Sequence, residues 1–241
     1  AITYDTGGLL IKPRGGMEDM RADMAGAAAC FGTMWSAIKL GLKINLSLVI
    51  PSCENSIGPS AFKPGDVYLS YSGKSVEVAD TDAEGRLVLA DAITYAKKHL
   101  NPSRIIDLAT LTGAMVISLG EEMAGMFCND NKLSDAIEAA GLKTHERVWP
   151  LPLNNDYKIQ LKSDVADIKN KGDRYGGAIT AALFLEEFIG QTPWAHLDIA
   201  GPAFYSKDRY YIPKNGTGFG VRLLIEYLKG VCDKQKIKAK K

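Results

Sequence analysis

The sequence predicts an α/β fold, a three-layer αβα arrangement with a mostly parallel, mixed central sheet. Two observations carry that reading. Short apolar runs alternate with stretches of helical periodicity along the chain, the order expected when helices cover both faces of a sheet. Loops bearing glycine, threonine and carboxylates follow several strand candidates, and open α/β sheets carry their sites outside the carboxyl ends of strands. With 241 residues, 46% of them hydrophobic, the chain is long enough for one large domain with a substantial core.

The elements follow in order. Ile2, Thr3 and Tyr4 make a short strand that ends at Asp5 and breaks into Gly7-Gly8, a loop whose backbone must pass close to a neighbour. Asp23 lies in an Ala/Gly/Met-rich segment that continues as an apolar helix toward Leu40. Residues 44–50 read as a buried strand. Residues 67–71 and 74–78 flank Ser72-Gly73 as a tight hairpin. Leu89, Ala92, Ile93 and Ala96 share one helical face. Residues 104–109 form a strand that ends at the loop Thr110-Leu111-Thr112-Gly113. Ala181, Phe184, Leu185 and Phe188 mark another helical face after Gly176-Gly177, residues 194–199 a late strand, and residues 220–229 a closing helix. No repeat or linker interrupts the pattern, so residues 1–241 read as one domain, with a basic tail at 233–241 that reads as a solvated terminus.

Composition excludes several roles. A net charge of +1 creates no global field toward nucleic acid or a membrane. No apolar run reaches the ~18 residues of a spanning helix, and no signal peptide is visible. The four cysteines, Cys30, Cys53, Cys128 and Cys232, are scattered without metal-binding spacing. They read as reduced thiols, three of them buried, in a cytosolic protein. His99, His145 and His196 show no H-E-x-x-H pairing, and His196 reads as a satisfied core residue. A hydrolase built here works with carboxylates, lysine and arginine.

Those groups are concentrated in Asp80-Thr81-Asp82-Ala83-Glu84-Gly85-Arg86, between a strand and a helix. Neighbouring carboxylates repel unless a cation sits between them, and hard oxygen ligands suit a divalent metal. Alone, such a string reads as an exposed turn of mixed charge. A second acidic cluster upstream, Asp5 and Asp23 with Lys12 between them, argues for more. Asp23 by itself reads equally well as an acid facing water at a helix N-terminus.

Taken together, Ile2-Thr3-Tyr4-Asp5-Thr6-Gly7-Gly8, Met20-Arg21-Ala22-Asp23-Met24, the Asp80 to Arg86 string, Ala109-Thr110-Leu111-Thr112-Gly113-Ala114, His196-Leu197-Asp198-Ile199-Ala200-Gly201 and Thr217-Gly218-Phe219-Gly220 closely resemble the leucine aminopeptidase family, the M17 metallopeptidases. The resemblance covers nearly the whole chain. It implies a cytosolic, two-metal aminopeptidase that removes N-terminal residues, with a Leu-type preference, from peptides with a free N-terminus. It implies Asp5, Asp23, Asp82 and Glu84 as ligands, with Asp5 and Glu84 bridging the ions. Zinc or manganese would be the metals, with magnesium or cobalt as alternatives. Lys12 would face the developing oxyanion, and Arg86 would hold a bicarbonate ion acting as general base. Met20, Thr110, Leu111, Gly113, Ala200 and Ala203 are expected near the substrate side chain, although Met20 and Leu111 read equally as core. A homohexamer is expected, and a nucleic-acid partner is not.

Two departures stand out. Asp80 occupies a position where the family usually has asparagine. The family's metal-binding lysine immediately before the position of Ala1, and the domain that precedes it in most relatives, are not among the 241 residues. The chain therefore reads as the catalytic domain. Two further readings are a two-metal phosphoesterase, for which no phosphate clamp or glycine motif speaks, and a metal-poor pseudoenzyme or binding module, raised by the lysine.

Overall fold

A computed structural model describes residues 1–239 along the backbone and side chains through Asp233. In chain order it holds β1 (Ile2–Asp5), a 3-10 turn (Met20–Ala22), α1 (Ala25–Lys39), β2 (Cys53–Asn55), β3 (Val67–Leu69), β4 (Ser75–Glu77) and α2 (Gly85–Leu100). Then follow β5 (Ile105–Ala109), α3 (Gly113–Leu119), β6 (Ala124–Cys128), α4 (Asn131–Thr144), β7 (Val148–Pro150), a second 3-10 segment (Asn155–Leu161) and β8 (Ile168–Lys169). The chain closes with α5 (Gly177–Ile189), β9 (Trp194–Asp198), β10 (Phe204–Tyr205), β11 (Asn215–Gly216) and α6 (Val221–Ala239). The side chains of the basic tail from residue 234 onward lie outside the described residues.

The central sheet has the order β5-β9-β6-β7, with β5/β9 and β6/β7 parallel and β9/β6 antiparallel. Alternate residues of its strands face opposite layers. Met126, Ala195 and Leu197 pack with Ala29 of α1, Ile137 of α4 and Leu223 of α6. Phe127 and Trp194 pack with Ile93 of α2, Met115 of α3 and Phe184 of α5. Helices therefore cover both faces, and the three-layer αβα expectation holds. Burying each of the larger side chains, such as Met126, Leu197, Phe127 and Phe184, contributes about 1.5–3 kcal/mol. α1 lies hard against β5: a Cβ added at Gly26 would sit 2.1 Å from the carbonyl oxygen of Leu108, so only glycine permits that approach.

Local chemistry sets the element ends. Thr112 caps α3 by accepting from the Met115 amide, and Asp130 caps α4 by accepting from Leu133. α2 and α4 each end on a left-handed residue, Asn101 and His145. β3 and β4 form the expected hairpin, shorter than read from sequence, with Gly73 at φ +93° in its turn. β8 adds to β4 in parallel, joining distant parts of the chain.

Residues 44–50 correct one expectation. They belong to no strand, and none of them is buried. Leu42, Ile44, Leu46 and Leu48 are half-buried, and Lys43, Asn45 and Ser47 between them are exposed. The apolar alternation is real, but no neighbouring strand pairs with the segment among the described residues. A cavity of about 480 Å³ is lined by this segment, β5 and helices α1, α2 and α6. The cysteines differ as well: Cys232 is buried and the other three are half-buried, all as free thiols. His196 is a satisfied core residue, as expected, with Nδ1 2.6 Å from Asp107 Oδ1. Among the described residues no helix is long and apolar enough to cross a membrane.

Candidate active site

β1 delivers the first carboxylate. β1 pairs in parallel with β2, which places Asp5 opposite Asn55. Asp5 is buried, and its Oδ1 accepts from the Gly7 amide at 2.9 Å and from Asn55 Nδ2 at 2.8 Å. The chain then folds back on itself. Gly7 takes φ +84°, and a Cβ there would approach the Leu10 carbonyl at 2.7 Å and Asp82 Oδ1 at 2.9 Å. Thr81 holds the loop by donating to the Gly7 carbonyl at 2.6 Å and accepting from the Leu10 amide at 2.9 Å. The reversal returns Lys12 to Asp5: its Nζ lies 2.7 Å from Asp5 Oδ2 and 2.7 Å from Asp82 Oδ1. Burial disfavours the Lys12 ammonium, but its hydrogen bonds to these two carboxylates outweigh that and hold its pKa above the usual lysine value.

The turn before α2 delivers the rest. Asp5, Asp82 and Glu84 each offer an oxygen, and these atoms all lie within 4.8 Å of one another. Glu84 is buried, and its Oε2 finds no hydrogen-bond partner among the described residues. Burial and then the nearby Asp5 charge push the Glu84 pKa up. Burial likewise raises Asp82. An oxygen-only cluster of this size, with a buried oxygen lacking a donor, fits a hard or borderline divalent cation. Arg86, in the first turn of α2, is 7% exposed. Its Nη1 donates to the Asn170 carbonyl at 2.9 Å, while its Nε has no partner among the described residues. Burial pulls the guanidinium pKa down to about 10, although the nearby acids Asp198 and Asp80 oppose that.

Asp23 lies outside the tight cluster. Its Oδ1 accepts from Thr110 Oγ1, across from the end of β5, and burial pushes its carboxyl up to about 7. Thr110 begins the loop between β5 and α3. Asp198, fully buried at the end of β9, ties that loop down by accepting from the Leu111 amide at 3.1 Å and from Thr112 Oγ1 at 2.7 Å. It also accepts from the Ala200 amide at 3.2 Å.

One cleft of about 690 Å³ gathers Asp5, Lys12, Met20, Asp23, Asp82, Glu84, Arg86, Thr110, Leu111, Gly113 and Ala200. Ala203 is the exception. It is 2% exposed and packs into the core beneath α6 rather than lining the cleft, because the turn after β9 is bonded back from the Ala203 amide to the Ile199 carbonyl. Asn55, Thr81, Asn170 and Asp198 were not singled out from the sequence. Asp198 sits in a motif string that could have flagged it, whereas Asn170 carries no local signal at all.

These features define an α/β domain with a carboxylate-lined cleft at the ends of its strands, which also holds Lys12, Lys171 and the buried Arg86. The chain belongs to the cytosol aminopeptidase family: the model of that family's catalytic domain matches residues 1–225. Similar curated proteins include the probable cytosol aminopeptidase of Protochlamydia amoebophila (strain UWE25), 56% identical over 229 residues, 95% of this chain and 46% of that protein. That of Geobacter sp. (strain M21) is 55% identical over 228 residues, again 95% and 46%. The chain thus spans about half the length of the curated relatives it matches. Among solved structures, the bottromycin maturation enzyme BotP in complex with Mn is similar at a TM-score of 0.88 and 38% identity, covering 96% of this chain and 52% of that one.

Proposed function

We propose that the protein is a metal-dependent aminopeptidase that releases N-terminal residues, preferentially of the Leu type, from peptides with a free amino terminus. The observation that carries this reading is the oxygen cluster of Asp5, Asp82 and Glu84 within 4.8 Å, with a buried Glu84 oxygen left without a donor, in a chain of this family. Asp5, Asp82, Glu84 and Asp23 would hold two divalent ions. Manganese is favoured because the similar solved BotP structure is a complex with Mn, with zinc, magnesium or cobalt as alternatives. Bound there, the ions would polarise the scissile carbonyl and acidify a water.

The chain's own groups do the rest. Lys12, already held in the cleft by two carboxylates, is placed to stabilise negative charge developing on the carbonyl oxygen. Arg86, buried with an Nε lacking an acceptor, suits a small anion such as bicarbonate to accept a proton, the role no histidine in the cleft can take. Met20, Leu111, Gly113 and Ala200 offer an apolar or small wall for the substrate side chain. The two-metal phosphoesterase is not favoured by the family, and the binding-module reading has no support from a complete carboxylate set. A cytosolic location agrees with the relatives' names.

The test is leucyl-amide hydrolysis after dialysis against a chelator. Activity should fall by at least about a hundredfold and return on adding Mn²⁺ or Zn²⁺. Activity indifferent to chelation, with well under one metal per chain, would overturn the proposal. Homohexameric assembly is a separate proposal from the family resemblance. Light scattering of the natural full-length protein should give about six times the protomer mass, and a monodisperse monomer would reject it.

A further inference from the structure

Asp80 is an extra carboxylate immediately ahead of the candidate ligands, and it is 8% exposed. Its Oδ1 accepts from the Asp82 amide at 2.8 Å, and its Oδ2 is paired with Lys171 Nζ. Lys171 follows β8 and lines the cleft, its side chain 48% exposed. The residue before it, Asn170, is fully buried and grips the same turn. Asn170 Oδ1 accepts from the Ala79 amide at 2.8 Å and from the Asp80 amide at 3.1 Å. Asn170 Nδ2 donates to the Asp80 carbonyl at 2.7 Å and to the Ala83 carbonyl at 3.2 Å. The segment after β8 therefore clamps the acidic turn from behind, by bonds from the Asn170 side chain to the turn's backbone and by charge at Lys171.

We propose that Asp80 and Lys171 act as one positioning unit that orients Asp82 in the cleft. The inference rests on the aminopeptidase reading above. A buried carboxylate beside Asp82 and Glu84 is costly without a counter-charge. An asparagine at 80 could accept the same amide bond with no counter-charge. Lys171 is thus needed because residue 80 is charged. Without it, Asp80 faces two like charges, turns away from the Asp82 amide, and leaves the Asp82 carboxylate poorly held. Either change alone should therefore differ from both together.

A double-mutant cycle in the natural full-length protein tests this, read by leucyl-amide kinetics, Mn content and thermal unfolding. Lys171→Met should lower kcat about tenfold, the low end for losing an orienting partner of a metal ligand, with Mn retained because a positive charge has been removed from the cleft. Asp80→Asn alone should cost less than about threefold, since the half-exposed Lys171 can turn to water. Asp80→Asn/Lys171→Met should recover most of the activity lost by Lys171→Met. An ion pair serving stability alone would lower the melting temperature without this split in kcat. Unchanged kcat in Lys171→Met, or a double variant no better than that single one, would overturn the proposal. If Lys171→Met fails to fold, the double variant and Asp80→Asn decide it, because neither holds an unpaired buried carboxylate: a double variant active to within about threefold of Asp80→Asn supports the unit, and a further tenfold loss overturns it. A wild-type protein without Mn-dependent leucyl-amide hydrolysis would instead overturn the function on which the inference rests.

Discussion

Glu84→Ala should strip the protein of most of its bound metal and lower leucyl-amide turnover by more than about a hundredfold. Losing an outer partner of a metal ligand already costs about 10–100-fold, and Glu84 is proposed as a direct ligand. Its buried Oε2 has no hydrogen-bond partner among the described residues, so the side chain contributes little else that the substitution would remove. Folding should survive, because the change removes a carboxylate disfavoured by burial and by Asp5. The measurement is metal per chain by elemental analysis beside turnover at saturating Mn²⁺. Full metal content with full activity would remove Glu84 from the site.

Lys12→Ala should have the opposite signature. Turnover should fall by about a hundredfold or more, the usual cost of losing an oxyanion stabiliser, with metal content unchanged or higher. The Lys12 ammonium lies 2.7 Å from both Asp5 and Asp82, so it supplies the positive charge those carboxylates need when no ion is bound. Removing it leaves their oxygens more attractive to a divalent cation. Metal titration separates the two residues: Glu84→Ala weakens binding, whereas Lys12→Ala does not. Loss of metal in Lys12→Ala would mean that its ion pairs hold the site together, and wild-type turnover would end its catalytic assignment.

The sequence carried most of what is local. Asp82, Glu84 and Arg86 are two residues apart at the mouth of a helix, so their proximity follows from chain geometry. Gly7 was readable because a positive φ and a close approach both exclude a side chain. Strand and helix types followed from periodicity at β5, β9, α2 and α5. Residues 44–50 show the limit of that signal: alternation was present, but a strand needs a neighbour to pair with, and pairing is not a local property.

Tertiary structure decided what joins across the fold. The parallel pairing of β1 with β2 sets Asn55 against Asp5. The pairing of β4 with β8 brings Asn170 and Lys171 onto the acidic turn. Asp198 reaches the β5 loop because β9 is the neighbour of β5. The amino-acid sequence by itself determined the αβα class, the family and the residue types of the cleft, since periodicity, turn chemistry and motif strings are written along the chain. Which polar groups support those residues depended on strand order. Hydrogen bonds and ion pairs act over a few ångströms, and only the folded sheet brings distant segments that close.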